Sequence, residues 1–217
     1  GSYLARWAEE LVENHIFTVN MLGCHDGIPM LDLKGLLPDE RIQGLIDTLV
    51  SRGGYVKNLH GAKNMYYQVN ATYYSALGED SRKLLLSRAV QMFMPGKPQV
   101  WYLDLFAGKN DYAAMERAGK DGHKEINRTN LSVPEMEERL EMDVVQKQLE
   151  LLRMRSCFDV FSPDAAVSAR AEGSRLELKW EAGDETALLA ADFAGSAFDI
   201  TIRNRSTNEV KFEFSQK

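Results

Sequence analysis

A histidine and an aspartate stand side by side at His25 and Asp26, shortly after an apolar run, IFTVNM, at residues 16–21. In parallel α/β sheets ligands bind beyond the carboxyl ends of the strands, so polar residues at this point are the first candidates for a site. A carboxylate there can stabilise an oxocarbenium-like transition state, and an imidazole can bind a sugar hydroxyl. The structural alternative is that Asp26 caps a turn before Gly27 and that His25 is a satisfied structural histidine.

Two other motifs indicate chemistry less strongly. Cys24 before His25 resembles a thiol nucleophile beside its base, but adjacent residues usually point in different directions. The turn AGKN at residues 107–110 has too few glycines, in the wrong order, for a phosphate-binding loop. Neither pattern therefore predicts a site.

Aromatic and cationic residues provide further candidates. Tyr67 and Gln68 lie in a tyrosine-rich segment, where aromatic rings suit the faces of sugars but are also common in any core. Arg128 follows the loop after a second apolar run, QVWYLDL, at residues 99–105. For Arg128 the alternative interpretation is a surface ion pair.

The hydrophobic pattern predicts the elements that position these residues. Apolar stripes at helical spacing predict an opening helix, a helix after Pro38 and a helix that ends before Pro95. Residues 16–21 and 99–105 are predicted as buried strands, and residues 133–155 as one long helix. Two successive strand, loop and helix units imply an α/β fold, either a barrel or a doubly wound sheet.

The pattern changes after Cys157. Leu176, Leu178 and Trp180 alternate with charged residues, and the same period of two recurs around Ile200 and around Phe212. Alternation of this kind is typical of an antiparallel sheet with one face in water. We therefore expect two domains, the C-terminal portion of an α/β barrel at residues 1–156 and a small antiparallel β domain at residues 157–217.

Composition excludes some classes of function. A net charge of −6 provides no basic surface for nucleic acid or an anionic membrane, and no apolar run approaches the length of a bilayer span. With 44% hydrophobic residues and no secretory signal, a soluble cytoplasmic protein is expected. The two cysteines, Cys24 and Cys157, are interpreted as reduced.

Five ordered blocks resemble the sucrose phosphorylase branch of the α-amylase superfamily. They are CHDGIP at 24–29, YQVNATYYSALG at 67–78, PGKPQVWY at 95–102, AGKND at 107–111 and INR at 126–128. The resemblance implies the C-terminal part of a (β/α)8 barrel and a retaining transfer of glucosyl from an α-glucoside to phosphate, which releases α-glucose 1-phosphate. No cofactor and no metal are implied.

The resemblance also assigns roles. Asp26 matches the catalytic acid that stabilises the transition state, while His25 and Arg128 match residues that bind the glucosyl ring. Tyr67 and Gln68 match a loop that contributes to the phosphate and acceptor sites. The expected partners are a small-molecule sugar and inorganic phosphate, with no nucleic acid and no membrane, and a homodimer is left open.

Two departures from the family pattern matter. The nucleophilic aspartate and the general-acid glutamate of the family would lie before Tyr3, so the chain alone is expected to be inactive. Met65 stands where sucrose phosphorylases commonly carry aspartate, and Cys24 and Pro29 resemble the glucosylglycerate phosphorylases, so glucosylglycerate is favoured over sucrose. The alternatives are a sucrose phosphorylase, a retaining α-glucosidase or transglucosidase of the same fold, and a non-catalytic carbohydrate-binding or structural module.

Overall fold

The computed structural model describes residues 1–56 and 68–217, and these form two compact units. The first unit gathers Gly1–Met21, Arg82–Gln99 and Gln146–Lys217, and the second gathers Leu22–Ser81 and Val100–Val145. Each unit therefore combines stretches that are distant in sequence. In the described ranges, no helix is both long enough and apolar enough to cross a membrane.

The first unit contains helices, a short parallel strand pair and a five-stranded antiparallel sheet. Its elements are α1 (Ser2–Glu13), β1 (Val19–Asn20), α4 (Ser81–Phe93), β5 (Lys97–Pro98), α8 (Asp143–Cys157), β6 (Ala166–Glu172), β7 (Arg175–Ala182), β8 (Glu185–Asp192), β9 (Ala197–Asn204) and β10 (Val210–Gln216). The terminal residues of α4 and α8 extend into the second unit.

The five-stranded sheet is a meander in the order β10-β9-β8-β7-β6. Leu178 of β7 pairs with Leu189 of β8, and both side chains are fully buried. Leu188, the neighbour of Leu189, is 38% exposed, as expected when successive side chains point to opposite faces. Trp180 of β7 fixes the sheet to the end of α4, because its indole Nε1 donates to the Phe93 carbonyl at 2.7 Å.

The second unit is built around a three-stranded sheet in the order β2-β4-β3. Its elements are β2 (Ile28–Pro29), α2 (Asp39–Ser51), β3 (Tyr55–Val56), β4 (Gln68–Asn70), α3 (Tyr73–Ala76), α5 (Tyr102–Leu105), α6 (Tyr112–Ala118) and α7 (Val133–Leu140), with 3₁₀ turns at Leu31–Leu33 and Gly119–Asn127. Ile42 and Ile46 of α2 pack with Met30 and Val69 as its buried core. The apolar stripe predicted for α2 thus forms this core.

Both predicted buried strands need correction. Residues 16–21 form only the two-residue strand β1, and Phe17 and Val19 are 76% and 58% exposed. Within the described ranges β1 pairs with β5 alone. Residues 99–105 are not a strand, because the ladder ends near Gln99, whose N–H donates to Asn20, and the run continues into helix α5.

The helix predicted at residues 133–155 is two helices, α7 and α8. The Met142 N–H donates to the Arg139 carbonyl and the Val145 N–H to the Met142 carbonyl, both at 3.0 Å. These contacts span three residues rather than four, so they interrupt the α-helical ladder. Asp143 then opens α8, where a negative charge favours the helix start.

The five-stranded sheet confirms the antiparallel meander predicted from the period of two. Strand β6 was not predicted, and its residues alternate between exposed and half-buried. The domain boundary between residues 156 and 157 stays a prediction, since the compact units group the chain differently.

Substitutions at neighbouring positions of β8 test the burial pattern of the sheet. Leu189→Ala should lower the free energy of unfolding by about 2–5 kcal/mol, because it leaves a cavity among fully buried side chains. Leu188→Ala is the matched control and should change it by less than about 1 kcal/mol, since that side chain faces water. Urea unfolding followed by circular dichroism measures both, and equal losses would contradict the assigned faces.

Candidate functional site

The turn at residues 24–27 is held by side chains that bind its backbone carbonyls. Asn127 Nδ2 donates to the Cys24 carbonyl at 2.9 Å, and Arg128 Nε donates to the His25 carbonyl at 2.9 Å. Asn70 Nδ2 donates to the Asp26 carbonyl at 3.0 Å. Asn70 and Asn127 are each 1% exposed, so two of these three donors act from the interior of the protein.

Gly27 closes the turn and has little room for any side chain. Its φ of 101° lies in a region that L residues rarely adopt. A Cβ atom at this position would lie 2.7 Å from the Val69 carbonyl oxygen, which is closer than van der Waals contact allows. The backbone of β4 therefore packs directly against the turn.

The Asp26 carboxylate is the centre of a cluster of polar side chains. Its Oδ2 lies 3.1 Å from His25 Nε2, and its Oδ1 accepts a hydrogen bond from Lys124 Nζ at 2.8 Å. Arg128 Nη2 lies 3.6 Å from the same Oδ1. The Arg128 guanidinium also reaches Glu125, with Nη1 and Oε1 3.7 Å apart. The structure thus brings His25, Asp26 and Arg128 together.

The surrounding charges keep Asp26 ionised. The hydrogen bond from Lys124 lowers the pKa of Asp26 below its ordinary value. Burial opposes this shift, and the charges of Lys124, His25 and Arg128 add to it. A carboxyl group with a lowered pKa carries its full negative charge at neutral pH. Asp26 can therefore stabilise positive charge, but it cannot serve as a general acid there.

The cluster is open to a ligand. The His25 side chain is 58% exposed and the Asp26 side chain 47% exposed, and the His25 ring lies 5.9 Å from the ring of Trp101. An aromatic face beside a carboxylate and an imidazole is suited to a sugar ring, which presents both apolar C–H groups and hydroxyls. The same contacts also fit the structural alternative of a surface ion pair.

Cys24, His25 and Asp26 also offer sulfur, nitrogen and oxygen atoms within 4.8 Å of one another. Such a donor set could ligate a soft divalent cation. However, Lys124 and Arg128 already direct positive charge at Asp26, and the Cys24 sulfur accepts the Asp26 N–H at 3.4 Å. The electrostatics of the cluster therefore favour a neutral or anionic ligand over a metal ion.

The structure does not bring the other two predicted site residues, Tyr67 and Gln68, into the Asp26 cluster within the part of the chain that it describes. Tyr67 lies outside the described residues. Gln68 begins β4 and pairs with Pro29 of β2, and among the described residues no hydrogen bond or ion pair joins its side chain to the Asp26 cluster. The functional roles of all five predicted residues stay predictions.

Four residues of this neighbourhood were missed from the sequence: Asn70, Trp101, Lys124 and Asn127. Asn70, Trp101 and Asn127 fall inside the blocks YQVN, QVWY and INR, so the motifs contained the signal. Lys124 lies in none of the blocks, and its contact with Asp26 joins residues 98 positions apart, which local pattern does not predict.

The chain has relatives among known proteins. It is 52% identical to a sucrose 6(F)-phosphate phosphorylase of Ilumatobacter coccineus, over 97% of this chain and 42% of the relative. It is 29% identical to a glucosylglycerate phosphorylase of Escherichia coli, over 74% of this chain and 32% of the relative. The crystal structure of sucrose 6F-phosphate phosphorylase from Thermoanaerobacter thermosaccharolyticum superimposes with a TM-score of 0.84 at 32% identity, covering 98% of this chain and 45% of that one. No family model matches the chain.

The α/β element order followed by an antiparallel β domain is that of the C-terminal part of α-amylase-family enzymes, as predicted. Within that class, the chain belongs to the sucrose phosphorylase branch. It spans about two fifths of the length of the curated relatives it matches.

Removal of the Lys124 ammonium tests the electrostatics of the cluster. Lys124→Met should raise the pKa of Asp26 towards its ordinary value, because the hydrogen bond that contributes most to the shift is lost. The ¹³C chemical shift of the Asp26 carboxyl, followed against pH, measures this change. Lys120→Met, which removes an exposed lysine from the same 3₁₀ turn, is the control and should leave the titration unchanged. If Asp26 titrates identically in Lys124→Met and in the unmodified protein, Lys124 does not lower the pKa of Asp26.

Proposed function

We propose that the chain is the C-terminal part of a retaining glycoside phosphorylase that transfers a glucosyl group from an α-glucoside to inorganic phosphate. An enzyme carboxylate attacks the anomeric carbon as its bond to the acceptor oxygen breaks, and the general acid gives that oxygen a proton. A phosphate oxygen then displaces the carboxylate from the glucosyl-enzyme intermediate, and the phosphate proton returns to the general acid. The products are α-glucose 1-phosphate and the free acceptor. The observation that carries the proposal is the ionised Asp26 between His25 and Arg128, in a chain that matches phosphorylases along its length.

In this proposal Asp26 stabilises the positive charge that develops on the glucosyl ring during both displacements. A fixed negative charge lowers the barrier only if it attracts the transition state more strongly than the ground state. This condition holds here, because the transition state resembles a positively charged oxocarbenium ion whereas the bound sugar is neutral. The lowered pKa of Asp26 keeps that charge in place across the neutral pH range.

His25 and Arg128 orient the glucosyl ring. His25 Nε2 lies 3.1 Å from Asp26 Oδ2, so both groups can reach neighbouring hydroxyls of one sugar. Arg128 holds the turn through its Nε, and its Nη2, 3.6 Å from Asp26 Oδ1, is placed to contact the ligand. Lys124 occupies Asp26 Oδ1 in the described structure, and glucosyl binding therefore requires the ligand to share or replace that contact.

The acceptor is an anionic molecule in this proposal. Met65, which lies outside the described residues, stands where sucrose phosphorylases commonly carry aspartate. A neutral side chain removes the repulsion that a carboxylate would exert on an anion. Fructose 6-phosphate and glycerate both satisfy this condition. The 52% identity to a sucrose 6(F)-phosphate phosphorylase supports the first, whereas the match to the glucosylglycerate phosphorylase, at 29%, supports the second less strongly.

Two alternatives predict different outcomes with an α-glucoside and phosphate. A retaining hydrolase or transglucosidase of the same fold would transfer the glucosyl group to water or a sugar instead of phosphate. A non-catalytic binding module would bind carbohydrate without turnover. Phosphate-dependent release of glucose 1-phosphate by the full-length protein separates the proposal from both.

A substitution at Asp26 tests its role as a transition-state stabiliser. In the full-length protein, Asp26→Asn should lower kcat by at least about a hundredfold while KM changes little, because the charge acts mainly in the transition state. Steady-state phosphorolysis measures both constants. Asp32→Asn, at an aspartate in a neighbouring 3₁₀ turn, serves as the control and should leave both constants unchanged. A raised KM with an unchanged kcat would make Asp26 a simple binding residue.

A comparison of donor substrates tests the acceptor preference. The full-length protein, given phosphate with sucrose 6F-phosphate, glucosylglycerate or sucrose, should release glucose 1-phosphate with a higher kcat/KM from an anionic donor than from sucrose. Met65→Asp should reduce kcat/KM for the anionic donors by about tenfold or more, since like charges placed together cost several kcal/mol. The highest kcat/KM on unmodified sucrose would contradict the argument from Met65.

A further inference from the structure

Two cationic side chains meet the Asp26 carboxylate, and they are held differently. The Arg128 guanidinium makes three contacts: Nε donates to the His25 carbonyl at 2.9 Å, Nη1 lies 3.7 Å from Glu125 Oε1, and Nη2 lies 3.6 Å from Asp26 Oδ1. In the described part of the chain, the Lys124 ammonium bonds to Asp26 Oδ1 alone, at 2.8 Å. Lys124 can therefore leave Asp26 by rotating its own side chain, whereas Arg128 cannot leave without releasing the turn.

The Lys124 side chain has space to move. It is 37% exposed, so part of it already lies in water. Its flexible four-carbon stem carries three N–H donors that rotate together. The Asp26 carboxylate is 47% exposed, and an ion pair with this much access to water is weak. The ammonium can therefore exchange Asp26 for another anion at little cost in free energy.

Glucosyl transfer favours this exchange. In the function proposed above, Asp26 stabilises the positive charge that develops on the glucosyl ring. An ammonium that stayed 2.8 Å from Asp26 would offset part of the negative charge and would repel the oxocarbenium-like ring. A sugar hydroxyl that bonds to Asp26 also competes with Lys124 for the same oxygen. We therefore expect Lys124 to leave Asp26 while the glucosyl group is bound, which places an ammonium without its anion next to the sugar.

Inorganic phosphate is the anion that reaches this position during the reaction. The attacking oxygen must come within about 3–3.5 Å of the anomeric carbon, and the ring that carries this carbon lies against Asp26. The phosphate therefore arrives within the width of one sugar ring from Lys124. Phosphate is an anion at neutral pH, and lysine is a common phosphate ligand that acts as a point charge.

We propose that Lys124 binds the attacking phosphate, so that its ammonium pairs with Asp26 in the free enzyme and with phosphate in the glucosyl-enzyme. This role rests on the phosphorylase function proposed above. The ammonium attracts the phosphate and transfers no proton, so the bond changes remain those of the second displacement. A negatively charged acceptor is the other anion that enters the site, and the two half-reactions distinguish it from phosphate.

Steady-state kinetics of the full-length Lys124→Met variant test this role, with the donor that has the highest kcat/KM of the three compared above. In a double displacement, kcat/KM for the donor reports glucosyl transfer to the enzyme, and kcat/KM for phosphate reports transfer to phosphate. Lys124→Met should lower kcat/KM for phosphate about tenfold or more, because a charge-assisted hydrogen bond is lost. The value for the donor should be unchanged or raised, since the sugar no longer competes with Lys124. Hydrolysis of the donor without phosphate should persist, because water carries no charge.

Three further variants control for charge, position and folding. Lys124→Arg keeps the positive charge and should recover most of the loss. Lys120→Met removes an exposed lysine from the same 3₁₀ turn and should leave both values of kcat/KM unchanged. Lys124→Gln is a second neutral variant and should show the same selective loss if Lys124→Met fails to fold.

The outcomes that overturn the role of Lys124 are distinct from a failure of the proposed function. An unchanged kcat/KM for phosphate in folded Lys124→Met, or an equal fall for phosphate and donor, would reject phosphate binding by Lys124. A fall for the donor alone would assign Lys124 to the acceptor instead. If the unmodified protein hydrolyses the donor but releases no glucose 1-phosphate, the phosphorylase function itself is wrong, and the role of Lys124 is rejected with it.

Discussion

The three hydrogen bonds to the carbonyls of Cys24, His25 and Asp26 are the constraint on which the candidate site depends. Two adjacent polar side chains normally diverge, and these converge because their backbone is fixed from outside the turn. The buried donors Asn70 and Asn127 come from segments distant in sequence. Long-range packing therefore establishes the geometry of the site. The conformational entropy of the site residues is lost when the protein folds, before any ligand binds.

Among the described residues, positive charge lies in contrasting surroundings at the Asp26 cluster and at Arg155. At the Asp26 cluster, Lys124 and Arg128 remain partly in water and meet a carboxylate at 2.8 and 3.6 Å. Solvent weakens each of these interactions, so replacing them with contacts to a ligand costs little free energy. Arg155 is more deeply buried, and its guanidinium lies 4.6 Å from the ring centroids of both Phe161 and Trp180.

The sequence predicted the β meander better than it predicted the elements at residues 99–105. The meander follows from strict alternation around Leu178 and Ile200, because one face of each strand must be buried for the sheet to be stable. The prediction at residues 99–105 failed because a short apolar run does not distinguish a strand from a buried helical turn. There the Asp104 carboxylate accepts the Tyr73 N–H at 3.3 Å, a tertiary contact that local pattern does not encode. The pairing of His25, Asp26 and Arg128 was predictable from the motif, whereas the ammonium of Lys124 required coordinates.

The short strand β1 has a practical consequence for handling the protein. Phe17, Val19 and Met21 present apolar surface beside a strand that has one neighbour in the described ranges, and Ile16 adds to the same stretch. Strands with free backbone groups and apolar side chains recruit other chains at high concentration. A preparation of these 217 residues will consequently scatter light increasingly as it is concentrated, and mild detergent will restore a clear solution by covering the strand.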